Sequence, residues 1–113
     1  MIRYSIVVPV FNEELVVEES YKRLKQVMNS TKEPYELIFV NDGSRDKTPE
    51  IVSGLCKMDP HVKLINFSRN FGHQTAITAG MDYSSGQAVV VIDADLQDPP
   101  EFLIEMYRIL EAG

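Results

Sequence analysis

The chain has 113 residues, 44% hydrophobic and 25% charged, with a formal net charge of −6 at pH 7. That is enough for one small domain with one core, and it excludes a general electrostatic pull toward nucleic acid or anionic lipid. The single cysteine, Cys56, excludes an internal disulfide and a cysteine-based zinc site, and reads as a buried apolar residue of a helix.

The first apolar run, YSIVVPV at 4–10, reads as a buried strand. Asn12 is placed to cap the helix that follows, with Glu13 and Glu14 in its first turn. Val17, Tyr21, Leu24 and Met28 share one face of that helix. A second strand is expected at 35–40, YELIFV. Thr48-Pro49 then reads as a cap with proline at the first helical position, and Ile51, Val52, Leu55 and Cys56 form the apolar stripe. VKLINF at 62–67 is the third strand, followed by a stripe of Ala76, Ile77, Gly80 and Met81. AVVVI at 88–92 is the fourth strand. Asp98-Pro-Pro-Glu101 opens a last helix with Phe102, Leu103, Met106, Tyr107 and Leu110 on its apolar side. No apolar run is long enough to cross a bilayer, and MIRYSIVVPVF reads as a strand rather than a signal peptide. A cytoplasmic location is expected.

The alternation βαβαβαβα implies an α/β fold with a parallel sheet and right-handed crossovers. Ligands of such sheets sit at the carboxyl ends of the strands where the strand order reverses. With the order 3-2-1-4 the reversal lies between the first and fourth strands, beside PVFNEE (9–14) and DADLQDPP (93–100). The other strand-end loops are NDGSRDKT (41–48) and SRNFGHQT (68–75). Neither G-x-G-x-x-G nor G-x-x-x-x-G-K-[ST] occurs, so dinucleotide and P-loop binding lack their usual phosphate cradles.

Asp93, Asp95 and Gln97 place oxygen ligands at alternate positions, which an extended backbone turns to one side. Hard oxygens suit Mg2+ or Mn2+, and such an ion bridges carboxylates to a diphosphate. The plainer alternative is a solvated strand end with Asp98 as a helix cap. An EF-hand is excluded, because Asp98 and Ile104 stand where its glycine and terminal glutamate belong. A phosphatase of the haloacid dehalogenase type, with Asp93 as nucleophile, expects Thr or Val where Gln97 stands. Asp42 ends the second strand before Gly43, placed either to accept hydrogen bonds from a base or ribose or to form a turn. Arg69 is placed to offset phosphate charge or to pair with Asp42. His73 and His61 read as surface residues.

Together VVPVFNEE, FVNDGSRDKT, FSRNFGHQTAITAG and VIDADLQDPPE resemble the nucleotide-sugar half of family 2 glycosyltransferases, which have a Rossmann-like GT-A fold. The likeness is greatest to the polyprenyl-phosphate glycosyltransferases. It implies that Pro9, Phe11 and Glu13 line the nucleobase and ribose pocket, with Val40 and Asp42 closing it. Phe11 stands where many relatives have Tyr. Asp93, Ala94, Asp95 and Gln97 would meet ribose, diphosphate and metal, with Asp93 and Asp95 as the catalytic pair and Asp93, Asp95 and Gln97 as metal ligands. Asn70 and Gly72 would shape the floor near the sugar phosphate. The implied reaction moves a sugar from a nucleotide-diphosphate sugar, a UDP-sugar being favoured, to a lipid phosphate with inversion. The alternative is a non-catalytic nucleotide-sugar binding module. By the same likeness, residues 1–113 form the donor half, the acceptor half and membrane helices lie beyond Gly113, and the whole protein works at the cytoplasmic face of the membrane. The open edge of the last strand is expected to favour self-association.

Overall fold

The computed structural model describes residues 1–94 and Arg108. Its elements run β1 (Tyr4–Val10), α1 (Val17–Thr31), β2 (Tyr35–Asn41), α2 (Thr48–Met58), β3 (Val62–Asn66), α3 (His73–Tyr83) and β4 (Ala88–Val91). The helix expected after Asp98, with its stripe from Phe102 to Leu110, lies outside the described residues. All pairings are parallel and the order is β3-β2-β1-β4, as the alternation predicts. Among the described residues, β4 pairs with β1 alone.

The central strands β1 and β2 are buried on both faces because helices cover both, whereas in β4 Val89 and Val91 are exposed, so the expectation of a buried fourth strand holds only in part. In β1 the side chains of Ile6, Val8 and Val10 join Leu37 and Phe39 of β2 against Val17, Tyr21, Leu24 and Met28 of α1 and Val52 and Leu55 of α2. The intervening Val7, with Ile38 and Val40, packs against Ala76 of α3 on the other face. Each side chain so buried contributes about 1.5–3 kcal/mol. Among the described residues, α1 and α2 on one face and α3 on the other make the sheet doubly wound, with the reversal between β1 and β4. The α3 stripe is narrower than its spacing implies: Ala76 and Gly80 are buried, but Met81 is half-exposed.

Two predicted caps are replaced. Asn12 does not cap α1, which begins at Val17 without a side-chain cap; Asn12 instead adopts a left-handed φ of 54°. At α2 the capping oxygen belongs to Asp46, whose Oδ1 accepts from the Thr48 N–H at 2.9 Å. Pro49 does stand in the first turn, where its missing N–H costs nothing.

One charge is buried on the α3 face. Glu36 Oε2 accepts from Ser5 Oγ at 2.6 Å and from Ser85 N at 2.8 Å, and the Gly86 N–H donates to Ser5 Oγ at 2.8 Å. These bonds satisfy the carboxylate and tie the α3–β4 connection to the sheet, fixing where β4 starts. At the opposite end of the sheet from the strand-end loops, buried Asp59 accepts from Tyr21 Oη at 2.6 Å and from the His61 N–H at 2.9 Å. His61 is no loose surface residue, since its ring stacks on Tyr35 with centroids 4.3 Å apart. Cys56 of α2 is half-buried against the larger core, and burial pushes its thiol pKa up.

Candidate functional site

The carboxyl ends of β1, β2 and β4 converge with the start of α3 on a cavity of about 350 Å³, within the size range of small-molecule sites. Pro9, Val10, Phe11 and Glu13 line it from β1 and the loop after it. Asp42 comes from the end of β2, Asn70, Gly72 and His73 from the β3–α3 turn, and Asp93 and Ala94 from beyond β4. Every described residue expected at the site is present except Val40. That side chain is fully buried beside Val7 and Ala76, below the cavity rather than on its wall. Asp95 and Gln97 lie outside the described residues.

Asp42 is only 4% exposed, and its carboxylate is already in use. Oδ1 accepts from the Phe71 N–H at 2.7 Å and Oδ2 from the Gly72 N–H at 3.1 Å. Its carbonyl oxygen accepts from Asn70 Nδ2 at 3.2 Å. Asp42 therefore anchors the β3–α3 turn through charge-assisted bonds, while about half of its lone-pair positions stay open for a ligand. Among the described residues it makes no ion pair with Arg69, whose guanidinium lies 4.7 Å above the Phe71 ring. With its N–H turned to Asp42, Gly72 has φ of 106°, a conformation open to glycine and strained for other residues. Gly43 is required for a different reason. A Cβ there would fall on the backbone of Arg69 and Asn70, so two of the site's loops pack backbone against backbone.

Asp93 follows Ile92, whose N–H donates to Val7 O at 3.0 Å and extends the ladder toward the cavity. Its side chain is 46% exposed, so a carboxylate there does not bear the full cost of desolvation. His73 Nε2 stands 3.7 Å from Asp93 Oδ1. Sequence spacing gave no signal for that approach, because the two residues belong to different elements. The next residue, Ala94, is buried, and its carbonyl accepts from Ser20 Oγ of α1 at 2.6 Å. Ser20 was also missed; a small polar residue on the apolar face of a helix was its only signal.

Among the described residues no group of three or more His, Cys, Asp or Glu side chains could hold a metal. The expected metal set has one member there, Asp93. Its carboxylate, 46% exposed at the cavity, offers oxygen ligands of the hard type that Mg2+ and Mn2+ take. Phe11 adds an apolar wall that is 43% exposed. A second groove of about 410 Å³ adjoins the first, sharing Phe11 and Asn70 and adding Arg45 and Arg69. No helix among the described residues is long and apolar enough to cross a membrane.

The chain is 69% identical over 112 residues to the uncharacterized glycosyltransferase YkcC of Bacillus subtilis (strain 168), covering 99% of this chain and 35% of that protein. It is 42% identical over 111 residues to the bactoprenol glucosyl transferase of Shigella phage SfV, covering 98% and 36%. The chain thus spans about a third of the length of these relatives. Among solved structures, the mannosyltransferase PcManGT from Pyrobaculum calidifontis, in complex with GDP-Man and Mn2+, superposes with a TM-score of 0.76 at 24% identity, over 90% of this chain and 30% of that one. That likeness shows the fold. The family model described as Glycosyl transferase family 2 matches residues 5–113, and the chain belongs to that family.

Proposed function

We propose that this chain is the donor-binding part of an enzyme that moves a sugar from a nucleotide-diphosphate sugar, a UDP-sugar, to a polyprenyl phosphate with inversion. The observation that carries the reading is the cavity at the β1/β4 reversal, where Pro9, Phe11, Glu13, Asp42, Asn70, Gly72, Asp93 and Ala94 meet. The bactoprenol glucosyl transferase among its relatives supports the lipid-phosphate acceptor, and work by the whole protein at the cytoplasmic face of the membrane is part of the same proposal. Family membership favours transfer over the hydrolase reading.

In this reading Pro9 and Phe11 give the nucleobase an apolar wall, and Asp42 offers its remaining lone pairs to base or ribose. Asn70 and Gly72 floor the site near the sugar phosphate. Asp93, with Asp95 and Gln97 outside the described residues, would hold Mg2+ or Mn2+. Such an ion, when bound, neutralises charge on the departing diphosphate. The acceptor phosphate has a second pKa of about 6, so it is largely ionised at neutral pH and needs no strong general base. The chain's own contribution is orientation and charge placement rather than proton abstraction.

Calorimetric titration of the chain with UDP and with GDP, each with and without Mn2+, tests the proposal. The expected result is Mn2+-dependent binding of UDP that Asp93→Asn weakens at least tenfold. Binding of GDP alone would overturn the UDP assignment, and binding indifferent to both metal and Asp93→Asn would overturn the metal role.

A further inference from the structure

The loop between β1 and α1 carries Phe11 and Glu13 into the cavity; within it the Val16 and Val17 N–H groups donate to Glu13 O at 3.0 and 2.8 Å, and further bonds reach it from a neighbouring loop. The helix after it starts late, at Val17, without a side-chain cap, and Asn12 sits in the left-handed region at φ 54°. Such a conformation persists where surrounding contacts determine it. Those contacts come from the β2–α2 loop, Asp42–Lys47, and from the first residue of α2.

The Asn12 N–H donates to Ser44 Oγ at 2.9 Å, and Asn12 Oδ1 accepts from the Arg45 N–H at 2.8 Å. The Glu13 N–H donates to Thr48 Oγ1 at 2.8 Å. The Glu14 N–H donates to Asp46 Oδ2 at 3.1 Å, and Glu14 Oε2 accepts from the Lys47 N–H at 3.3 Å. Thr48 is fully buried, and its hydroxyl has both roles filled. It donates to Asp46 Oδ1 at 2.6 Å while accepting from Glu13. The Thr48 hydroxyl is therefore oriented by Asp46 toward the Glu13 N–H. Asp46 completes the arrangement, since its second oxygen takes the next N–H along. Burial alone would push the Asp46 pKa up, but the bonds from Thr48 and from the Glu14 N–H outweigh it and lower it.

We propose that Asp46 and Thr48 are positioning residues for the donor site: they clasp the β1–α1 loop so that Phe11 and Glu13 stand at the cavity before a ligand arrives. The proposal rests on the donor-site reading above. Preformed loops lower the ordering cost of binding, so the clasp acts on donor affinity without touching the donor.

The test uses Thr48→Val, which keeps the branched shape and removes the hydroxyl, beside Thr48→Ser, which keeps it. Ser44→Ala is a milder third variant that leaves α2 intact. Amide hydrogen exchange is followed by NMR at Asn12, Glu13 and Glu14 and at Ile6 and Val8 of β1, and UDP affinity is measured with Mn2+ present. Thr48→Val is expected to speed exchange at Glu13 at least tenfold while Ile6 and Val8 keep their protection. UDP binding should weaken about tenfold, equivalent to about 1.4 kcal/mol, and Thr48→Ser should restore both. Ser44→Ala should speed exchange at Asn12 with a smaller loss of affinity. Unchanged exchange at Glu13 and Glu14 would overturn the clasp. Faster local exchange with unchanged affinity would overturn the positioning role, and equal acceleration in β1 would reduce the effect to global stability. Failure of the unsubstituted chain to bind UDP or GDP would defeat the donor reading and the positioning role together, leaving exchange to decide the clasp alone.

Discussion

Replacing Asp42 by alanine isolates what holds the floor of the cavity. The substitution removes the acceptor of the Phe71 and Gly72 N–H groups at 2.7 and 3.1 Å. Hydrogen bonds to a charged group contribute about 1.5–3 kcal/mol each. Gly72 borders the cavity, where water can replace part of the loss, so the lower figure applies and the pair is worth about 3 kcal/mol. A chain of this length has an unfolding entropy near its midpoint of about 0.24 kcal/mol/K, which converts the loss to a Tm lower by about 13 °C. Asp42→Asn keeps one acceptor oxygen and sets an NH2 group against the second N–H, so about half that shift is expected. Thermal unfolding followed by circular dichroism measures both, with UDP affinity read on the same samples at 10 °C. A drop below about 3 °C for Asp42→Ala, or equal drops for both variants, would refute the anchoring argument. If the carboxylate also contacts nucleotide, Asp42→Asn loses more affinity than its modest stability change explains.

Three further outcomes are expected. Asp59 is buried, and although burial alone would raise its pKa, hydrogen bonds from Tyr21, His61 and Lys25 hold it well below the usual carboxylate range; its stabilisation is therefore complete above about pH 4 and lost as pH falls further. Asp59→Asn should cost about 2–3 kcal/mol at pH 7 and flatten that acid loss, as denaturant titrations at pH 7 and pH 3 would show. Gly72→Ala has open space for its methyl group but must adopt φ of 106°, so it should lose about 1–3 kcal/mol of stability, and UDP affinity with it; equal stability would mean the turn relaxes freely. Ser20→Ala leaves the Ala94 carbonyl without its 2.6 Å donor, and should cost about 1 kcal/mol while weakening Mn2+-dependent binding through displacement of Asp93.

The strands were legible because their composition admits one environment. Seven consecutive buried residues in β1 must be covered on both faces, and helices spaced between such runs leave only a parallel sheet. The reversal at β1 and β4, and hence the place of the cavity, followed from topology. What sequence spacing could not show was which polar side chains serve the loops themselves. Asn12 reads locally as a helix cap, and only the neighbouring loop reveals that its side chain accepts from Arg45. Asp42 reads either as a turn residue or as a ligand contact, and its geometry shows it holding a turn thirty residues away. His73 approaches Asp93, and Ser20 reaches Ala94, across gaps in sequence that carry no periodic signal.

These cross-links bear on how β4, a half-exposed strand, can lead into a carboxylate. Asp93 is half-exposed and stands over a cavity, so water shares its charge in the free protein. The loops around it obtain their polar partners from one another. Asn12 and Glu13 bond to Ser44 and Thr48, Asp42 to Phe71 and Gly72, and Ala94 to Ser20. Those backbone groups are satisfied before any ligand arrives, and among the described residues the basic side chain that approaches the Asp93 carboxylate is His73, at 3.7 Å. Under the proposed function, a cation would therefore meet a half-exposed carboxylate whose neighbouring loops are already held, and the binding energy that would otherwise order the loops after β1, β2 and β3 would remain for the donor.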